Sequence, residues 1–322
     1  MTSKKQNMII ITGPTASGKS DLAIRIARKF GGEIISADSR QVYRGMNIGT
    51  AKVRGVMKND AFISGGIPHY CIDIASPKKI VTATDFKQYA QFAVKKIISH
   101  HKIPILAGGT GFWVDTVAYD KEYSLVPPNQ SLRKKLEKKT PSKLFALLKK
   151  LDPHRANTIE QKNPRRLVRA IEIAKALGHV PNIKRSSPYR TLWIGLSPSP
   201  KVLKRRIITR TRAMIRQGLI AETKRLLHSG VSEKRIREFG FEYLSALRFI
   251  KKEINRSELL EILIRATMQY AKRQQRWFKR NKDIQWISKL QEVQQIVKKF
   301  LTPAATLTSQ AHRPMNKEQT KA

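Results

Sequence analysis

Residues 8–20 constrain this chain more than any other stretch. Met8–Ile11 is a run of four apolar residues, the length of a short buried strand. Gly13-Pro14-Thr15-Ala16-Ser17-Gly18-Lys19-Ser20 follows and fits the pattern G-x-x-x-x-G-K-[ST]. Leu22, Ile26 and Phe30 then recur at helical spacing, so the loop stands between a strand and a helix. In that setting the glycines let the backbone curl until several N–H groups point inward. The helix start adds a partial positive charge, Lys19 a full one, and the Ser20 hydroxyl is placed to hold Mg²⁺. These eight residues are expected to cradle a diphosphate or triphosphate.

Charge says what else the chain meets. The 322 residues hold 64 Lys and Arg against 23 Asp and Glu, a net +41. The excess is +9 over residues 1–120, +13 over 121–200 and +17 over 201–300. Such a surface is either simply solvated or faces a polyanion, and a nucleic acid is the usual one. The single Cys71 excludes an internal disulfide framework and suits a reducing cytoplasm. No apolar run approaches the ~18 residues of a membrane span, and MTSKKQN has no apolar core of a signal peptide.

Glu33–Asp38 (EIISAD) reads as an apolar strand ending in an acid, Pro68–Asp73 as another, and Ile103–Ala107 as a third, which runs into Gly108-Gly109-Thr110-Gly111. Thr84–Ile98 is amphipathic and helical. Ligands of open parallel sheets bind beyond the carboxyl ends of the strands, so Asp38 is either a site acid or a turn residue near the phosphate loop. The alternation predicts an α/β fold, a P-loop NTPase-like parallel sheet flanked by helices. Four regions are expected: core 1–120, a mostly helical insertion 121–190, core again 191–302, and a disordered tail 303–322.

In the insertion, Leu132–Leu151 and Pro164–Leu177 read as helices, and Pro181–Arg190 as a linker. Thr191–Leu196 returns to strand. Lys201–Leu227 reads as an amphipathic helix that Gly218 can break, and it places Arg206 and Arg210 on one face. Arg237–Tyr243 reads as a loop around Gly240. Glu258–Asn281 is a long helix ending in AKRQQRWFKRN, either a solvated basic face or a phosphate-tracking one. His100 and His101 lack metal-ligand spacing and read as solvated.

GPTASGKS, DSRQVYRGMNIGTAK (Asp38–Lys52), GGTG and RIITRTRAMIRQGLIAE (Arg206–Glu222) resemble, in order and spacing, the bacterial tRNA dimethylallyltransferases, or tRNA isopentenyltransferases. AKRQQRWF and REFGF resemble that family's late segments, and the likeness covers about residues 8–290. Phe241 stands where the family favours Tyr, Tyr70 replaces a second His after His69, and Lys162–Arg166 departs from its usual run.

The resemblance implies transfer of a dimethylallyl group from dimethylallyl diphosphate to N6 of adenosine 37, beside the anticodon, in tRNAs reading codons that begin with U. It implies Mg²⁺, the anticodon stem-loop as partner, no membrane, and a cytoplasmic monomer. Asp38 would take the N6 proton. Lys19, the loop N–H groups, Mg²⁺ through Ser20, and Arg210 would stabilise the leaving diphosphate, with Arg206 the second choice of arginine. Thr110 would fix the acceptor or Asp38. Asp38, Ser39, Arg40, Gln41 and Thr110 would read the displaced base together with Arg237, Gly240 and Phe241. Arg133, Arg165, Arg166, Leu167, Val168 and Arg169 would complete the tRNA contacts, and the insertion would act as clamp and lid.

Three alternatives carry their own signatures. An adenylate isopentenyltransferase acting on free AMP, ADP or ATP has no need of +41 or a basic insertion. A P-loop small-molecule kinase usually carries an acid after an apolar strand, whereas Ile103–Ala107 runs into Gly-Gly-Thr. A GTPase-type RNA-binding switch needs an N-K-x-D base reader, and the chain has none.

Overall fold

The computed structural model describes residues 5–121, 123–124, 126–182, 186–287 and 290–302. The chain divides into two compact units, Met1–Asp120 with Ser187–Ala322, and Lys121–Ser186. The tail expected at 303–322 lies outside the described residues.

The first unit begins with β1 (Asn7–Thr12), α1 (Lys19–Phe30) and β2 (Gly32–Ser36). Three short strands follow, β3 (Val56–Lys58), β4 (Ala61–Ser64) and β5 (Ile67–Tyr70). Then come α2 (Ala83–Ser99), β6 (Ile103–Ala107) and α3 (Gly111–Ala118). The second unit holds α4 (Gln130–Leu136), α5 (Pro141–Leu151), α6 (Pro153–Thr158) and α7 (Pro164–Leu177). The chain returns to the first unit with β7 (Arg190–Leu196), α8 (Pro200–Arg216) and α9 (Leu219–His228). It finishes with α10 (Glu233–Glu238), α11 (Phe241–Ile250), α12 (Arg256–Phe278), β8 (Gln285–Ile287) and α13 (Leu290–Leu301).

The strands form one sheet in the order β3-β4-β5-β2-β6-β1-β7-β8. From β5 to β8 every pairing is parallel, and β3 and β4 are antiparallel at one edge. Side chains alternate strictly between two cores, as a period of two demands. Met8, Ile10, Ile35, Leu106 and Trp193 face one core with Phe86 of α2 and Trp113 of α3. Ile9, Ile11, Ile34, Ile105 and Ile194 face the other with Leu22 and Ile26 of α1 and Val293 and Val297 of α13. Helices on both faces explain why Met8–Ile11 of β1 and the whole of β6 are apolar and not alternating.

The order β2-β6-β1 puts three carboxyl ends side by side. Asp38 follows the first, Gly108 the second and Gly13 the third. Three motifs far apart in sequence therefore converge.

Several elements differ from the expectation. Leu132–Leu151 is two helices, because Thr140 caps α5 and Pro141 has no N–H to carry a helix through. Arg237–Tyr243 is no loop but the joint between α10 and α11, turned at Gly240 with φ 117°. Gly218, φ 103°, does separate α8 from α9. His100 is half-solvated and pairs with Glu33, Nδ1 to Oε1 3.1 Å, while Tyr70 donates to the same carboxylate at 2.8 Å.

In the second unit α5 and α7 pack through Leu144, Leu148, Leu167 and Ile171, all fully buried. Among the described residues no helix is long and apolar enough to cross a membrane.

Candidate active site

The loop after β1 holds left-handed conformations at Gly13 (φ 143°), Ala16 (62°) and Gly18 (95°). At Gly13 a Cβ would stand 2.7 Å from the Leu196 carbonyl oxygen, so only glycine fits. Lys19 donates to the Pro14 carbonyl at 2.7 Å and so curls over its own loop. Burial, with Arg210 nearby, pushes its ammonium pKa down to about 7, and Asp38 opposes this only in part. Lys19 is therefore a cation in want of an anion. Ser17 Oγ is buried, and among the described residues it has no hydrogen-bond partner.

Asp38 lies two residues beyond β2. Its Oδ1 accepts the backbone N–H groups of Arg40 (2.9 Å) and Gln41 (3.3 Å), which fixes the carboxylate through one oxygen. The loop after β6 lies directly against it. The Thr110 N–H donates to the Ala37 carbonyl at 3.3 Å, and the Ser39 N–H to Thr110 Oγ1 at 3.2 Å. A Cβ on Gly108 would stand 2.2 Å from the Ala37 oxygen, so the close approach of the two loops depends on that glycine.

Two helices complete the wall. Arg206 and Arg210, one turn apart on α8, both reach the phosphate loop. Arg206 donates to the Ser17 carbonyl at 3.1 Å and Arg210 to Thr15 Oγ1 at 2.7 Å. From α12, Gln274 Oε1 accepts the Thr15 N–H and its Nε2 donates to the Gly109 carbonyl, each at 2.8 Å. The loop residues Thr15–Ser20, Asp38, Gln41, Gly108, Gly109, Arg206, Arg210, Tyr270 and Gln274 line one cavity of about 590 Å³.

Close to this wall the charges are strongly coupled. Burial pushes the Glu242 carboxyl up to about 7; Arg210 and Arg40 pull it down and Asp38 adds to the rise. Burial likewise lowers Arg210 below the usual arginine value, against the pull of Glu242 and Asp38. The Tyr270 hydroxyl is driven up by burial and by Asp38 and Glu242, so it stays a neutral donor.

A second layer holds the Asp38–Lys52 segment. Glu222 is fully buried and accepts the N–H groups of Asn47 (2.8 Å), Ile48 (2.8 Å) and Gly49 (2.9 Å) and the hydroxyl of Tyr243 (2.8 Å). Gly49 has no room for a Cβ, which would stand 2.6 Å from the Tyr243 ring. Lys52, also buried, pairs with Asp73 and donates to Asn47 at 2.9 Å. These contacts account for the last residues of the Asp38–Lys52 block and for Glu222 as parts of one brace.

The sequence profile of the family described as IPP transferase matches residues 41–281 of this chain. The chain belongs to that family. It is 37% identical to the tRNA dimethylallyltransferase of Pelotomaculum thermopropionicum over 292 residues, 88% of this chain and 91% of the relative. It is 38% identical to that of Acetivibrio thermocellus over 293 residues, with 88% and 92% covered. Among solved structures it is similar to the full-length tRNA isopentenylpyrophosphate transferase of Bacillus halodurans. The identity is 31% and the TM-score 0.69, with 96% of this chain and 100% of that chain covered. It is also similar to a eukaryotic dimethylallyltransferase described as acting on tRNA, at 25% identity and TM-score 0.74, covering 97% and 81%.

Within this IPP transferase the expected residues fall into several groups. Thr15–Ser20 of the loop, Asp38, Gln41 and Arg210 share the cavity, Gly13 and Pro14 lie behind its lining, and Thr110 ties down the Asp38 turn. Phe241 packs edge-on to Tyr270 with centroids 6.2 Å apart, Gly240 adjoins it, and Arg237 is exposed on α10. Ser39 and Arg40 lie in the turn that holds the Asp38 carboxylate, Arg206 lies on the phosphate loop, and the remaining residues belong to the second unit. Leu167 and Val168 are buried in its core, so their side chains are unavailable to an RNA, contrary to expectation.

Arg133 and Arg169 are spent on buried Glu172. Arg133 holds it with two bonds of 2.9 Å, and Arg169 with one of 2.5 Å plus one of 2.8 Å to the Val126 carbonyl. Burial alone would raise the Glu172 carboxyl, but these bonds and the Asn129 N–H hold it below the usual range. Both guanidiniums therefore serve as rivets of the fold. Arg165 and Arg166 are exposed, the latter paired with Glu160 at 3.1 Å.

Sequence reasoning missed Gln274, Tyr270, Glu242 and Glu222. Gln274 and Tyr270 are four apart, a spacing that puts them on one helix face, and this was the available signal.

Proposed function

We propose that this protein transfers the dimethylallyl group of dimethylallyl diphosphate to N6 of an adenine in tRNA, adenosine 37 of tRNAs that read codons beginning with U. One observation carries the proposal: an anion cradle and a turn-fixed carboxylate line the same cavity. The relatives named as tRNA dimethylallyltransferases support it.

In the proposed reaction the diphosphate lies in the Gly13–Ser20 loop with Lys19 and Arg210 facing it. Negative charge grows on the diphosphate as the C1–O bond breaks, and these two cations stabilise it. Arg206, bonded to the Ser17 carbonyl, stiffens the loop. On the other side Asp38 accepts the N6 proton as the C–N bond forms, help worth ~10²–10⁴ in rate for a delocalised amine. Thr110 and the backbone N–H groups of residues 40 and 41 keep the carboxylate aimed.

Mg²⁺ fits the donor set. The Ser20 hydroxyl borders the cavity, and among the described residues no group of three or more His, Cys, Asp or Glu side chains forms a protein-only cage. Mg²⁺ characteristically keeps waters and binds through one or two protein groups plus substrate phosphates. Bound there, it would neutralise diphosphate charge.

The adenine must leave its stack, at a cost of roughly a few kcal/mol. We assign its recognition to residues 38–41 and to Arg237, Gly240 and Phe241. Arg165 and Arg166 hold backbone phosphates, and the helical unit serves as the tRNA clamp. A single chain carries every group in this scheme, so a cytoplasmic monomer suffices.

The test is direct. The protein is incubated with tRNA and dimethylallyl diphosphate, the tRNA is digested to nucleosides, and mass spectrometry looks for adenosine that has gained one C5H8. Parallel incubations with AMP, and with ATP alone, examine the free-nucleotide and kinase alternatives. A product on AMP but not on tRNA, or ADP formed from ATP without tRNA, overturns the proposal.

A further inference from the structure

Gln274 sits where the anion cradle meets the Gly108–Gly111 turn, and only 6% of it is exposed. A primary amide carries an acceptor and a donor side by side, and both are used. Its oxygen takes the Thr15 N–H from the phosphate loop and its nitrogen gives to the Gly109 carbonyl, at 2.8 Å each. A Cβ on Gly109 would stand 2.3 Å from that nitrogen, so the close approach requires glycine there. Thr15 is gripped a second time, through its hydroxyl, by Arg210.

The contact continues beyond Gly109. The next residue, Thr110, accepts the Ser39 N–H, and Ser39 follows Asp38. A continuous chain thus runs from the leaving-group side, Thr15, through Gln274, Gly109, Thr110 and Ser39 to the carboxylate at Asp38. A side chain that bonds both loops sets the distance between them.

We infer that Gln274 is a positioning residue that sets the span between the diphosphate cradle and Asp38, and so decides whether the prenyl carbon goes to the amine or to water. The inference rests on the prenyl-transfer reading above. In transfer, the C1–O bond breaks, C1 bonds to N6, diphosphate departs and the N6 proton goes to Asp38. In the competing reaction water bonds to C1, diphosphate departs, the proton is lost to solvent and dimethylallyl alcohol is formed. Both are balanced without any further reagent. A cradle displaced from the amine disfavours the first while leaving water able to react, and misplacement of about 1 Å can cost ~10² in rate.

The experiment compares wild type with Gln274→Ala, Gln274→Met and Gln274→Glu. It measures kcat and KM for both substrates and the ratio of alcohol to prenylated adenosine. The Ala and Met variants are expected to lower transfer kcat at least tenfold, to change KM for dimethylallyl diphosphate less than threefold, and to raise the alcohol ratio at least tenfold. Gln274→Glu keeps the shape, loses the donor to Gly109 and adds a negative charge beside the cradle, so it is expected to raise that KM as well. A purely structural role lowers melting temperature and the active fraction but leaves the alcohol ratio per active enzyme unchanged. If wild type prenylates tRNA and every folded variant keeps the wild-type ratio and kcat, the inference is overturned. If wild type itself makes no prenylated adenosine, the underlying reading fails instead.

Discussion

Lys19 offers the sharpest test of the site. Its pKa lies at about 7, mainly through burial and then through Arg210. A diphosphate bound against the ammonium reverses that balance, because it brings two or more negative charges into contact with it. In the bound state the anion raises the pKa again and the lysine stays charged. The substrate then takes up a proton with it whenever the free lysine is neutral. Linkage gives the size: with a free pKa near 7, binding takes up about 0.9 proton at pH 8 and about 0.1 at pH 6. Affinity weakens about fifty-fold from pH 7 to pH 9.

The terminal phosphate of the substrate, with a second pKa of about 6, is almost wholly ionised at pH 8, so the count at that pH belongs to the lysine. Calorimetry of dimethylallyl diphosphate binding in two buffers of different ionisation enthalpy reads the proton count. Lys19→Arg keeps a charge that does not titrate, so its affinity should be flat across the window. Uptake below about 0.2 proton at pH 8 in wild type, or the same pH slope in Lys19→Arg, refutes the reasoning.

The remaining outcomes concern five residues. Asp38→Asn should lower turnover by ~10²–10⁴ with tRNA affinity retained, whereas Arg210→Ala should lower turnover and weaken diphosphate binding together; single-turnover kinetics and tRNA filter binding separate the two. Glu242 has its pKa raised from 4.5 to about 7, so its stabilising contribution is present below pH 4.5 and is lost as pH rises through 7; Glu242→Gln should remove that decline, seen as a higher melting temperature than wild type at pH 8. In the helical unit, Glu172→Gln strands two arginines and should cost roughly 3 kcal/mol in denaturant unfolding, while Arg165→Ala should leave stability unchanged and reduce the salt slope of tRNA binding by about one unit or less.

The strand–loop–helix around Gly13–Ser20 was legible because it is local, and the α/β class because strands and helices alternate along the chain. Four apolar residues, a glycine-rich loop and a helical period carry their meaning within a short window. The same holds for the break at Gly218. The window failed where one residue type does two jobs. Leu132–Leu151 has a Leu and Lys rhythm on both sides of Thr140-Pro141-Ser142, and the cap at Thr140 with the proline after it splits the helix there. REFGFEY holds the glycine of a loop, yet its φ of 117° is a sharp joint between two helices.

By itself the sequence determined which chemistry is present: a cradle for an anion, an acid after a strand, arginines one turn apart, and a surface of +41. Tertiary structure decided which of these meet. The sheet order β2-β6-β1 brings Asp38, Gly108 and Gly13 to adjacent strand ends, although Gly13 and Gly108 are 95 positions apart in the chain. It turned Arg133 and Arg169 into partners of Glu172, and Gln274 into the link between two loops. A guanidinium or an amide has the same appearance in a sequence whatever it bonds. Its role follows from which buried acceptor lies within about 3 Å, and that is set by contacts between elements distant in the chain.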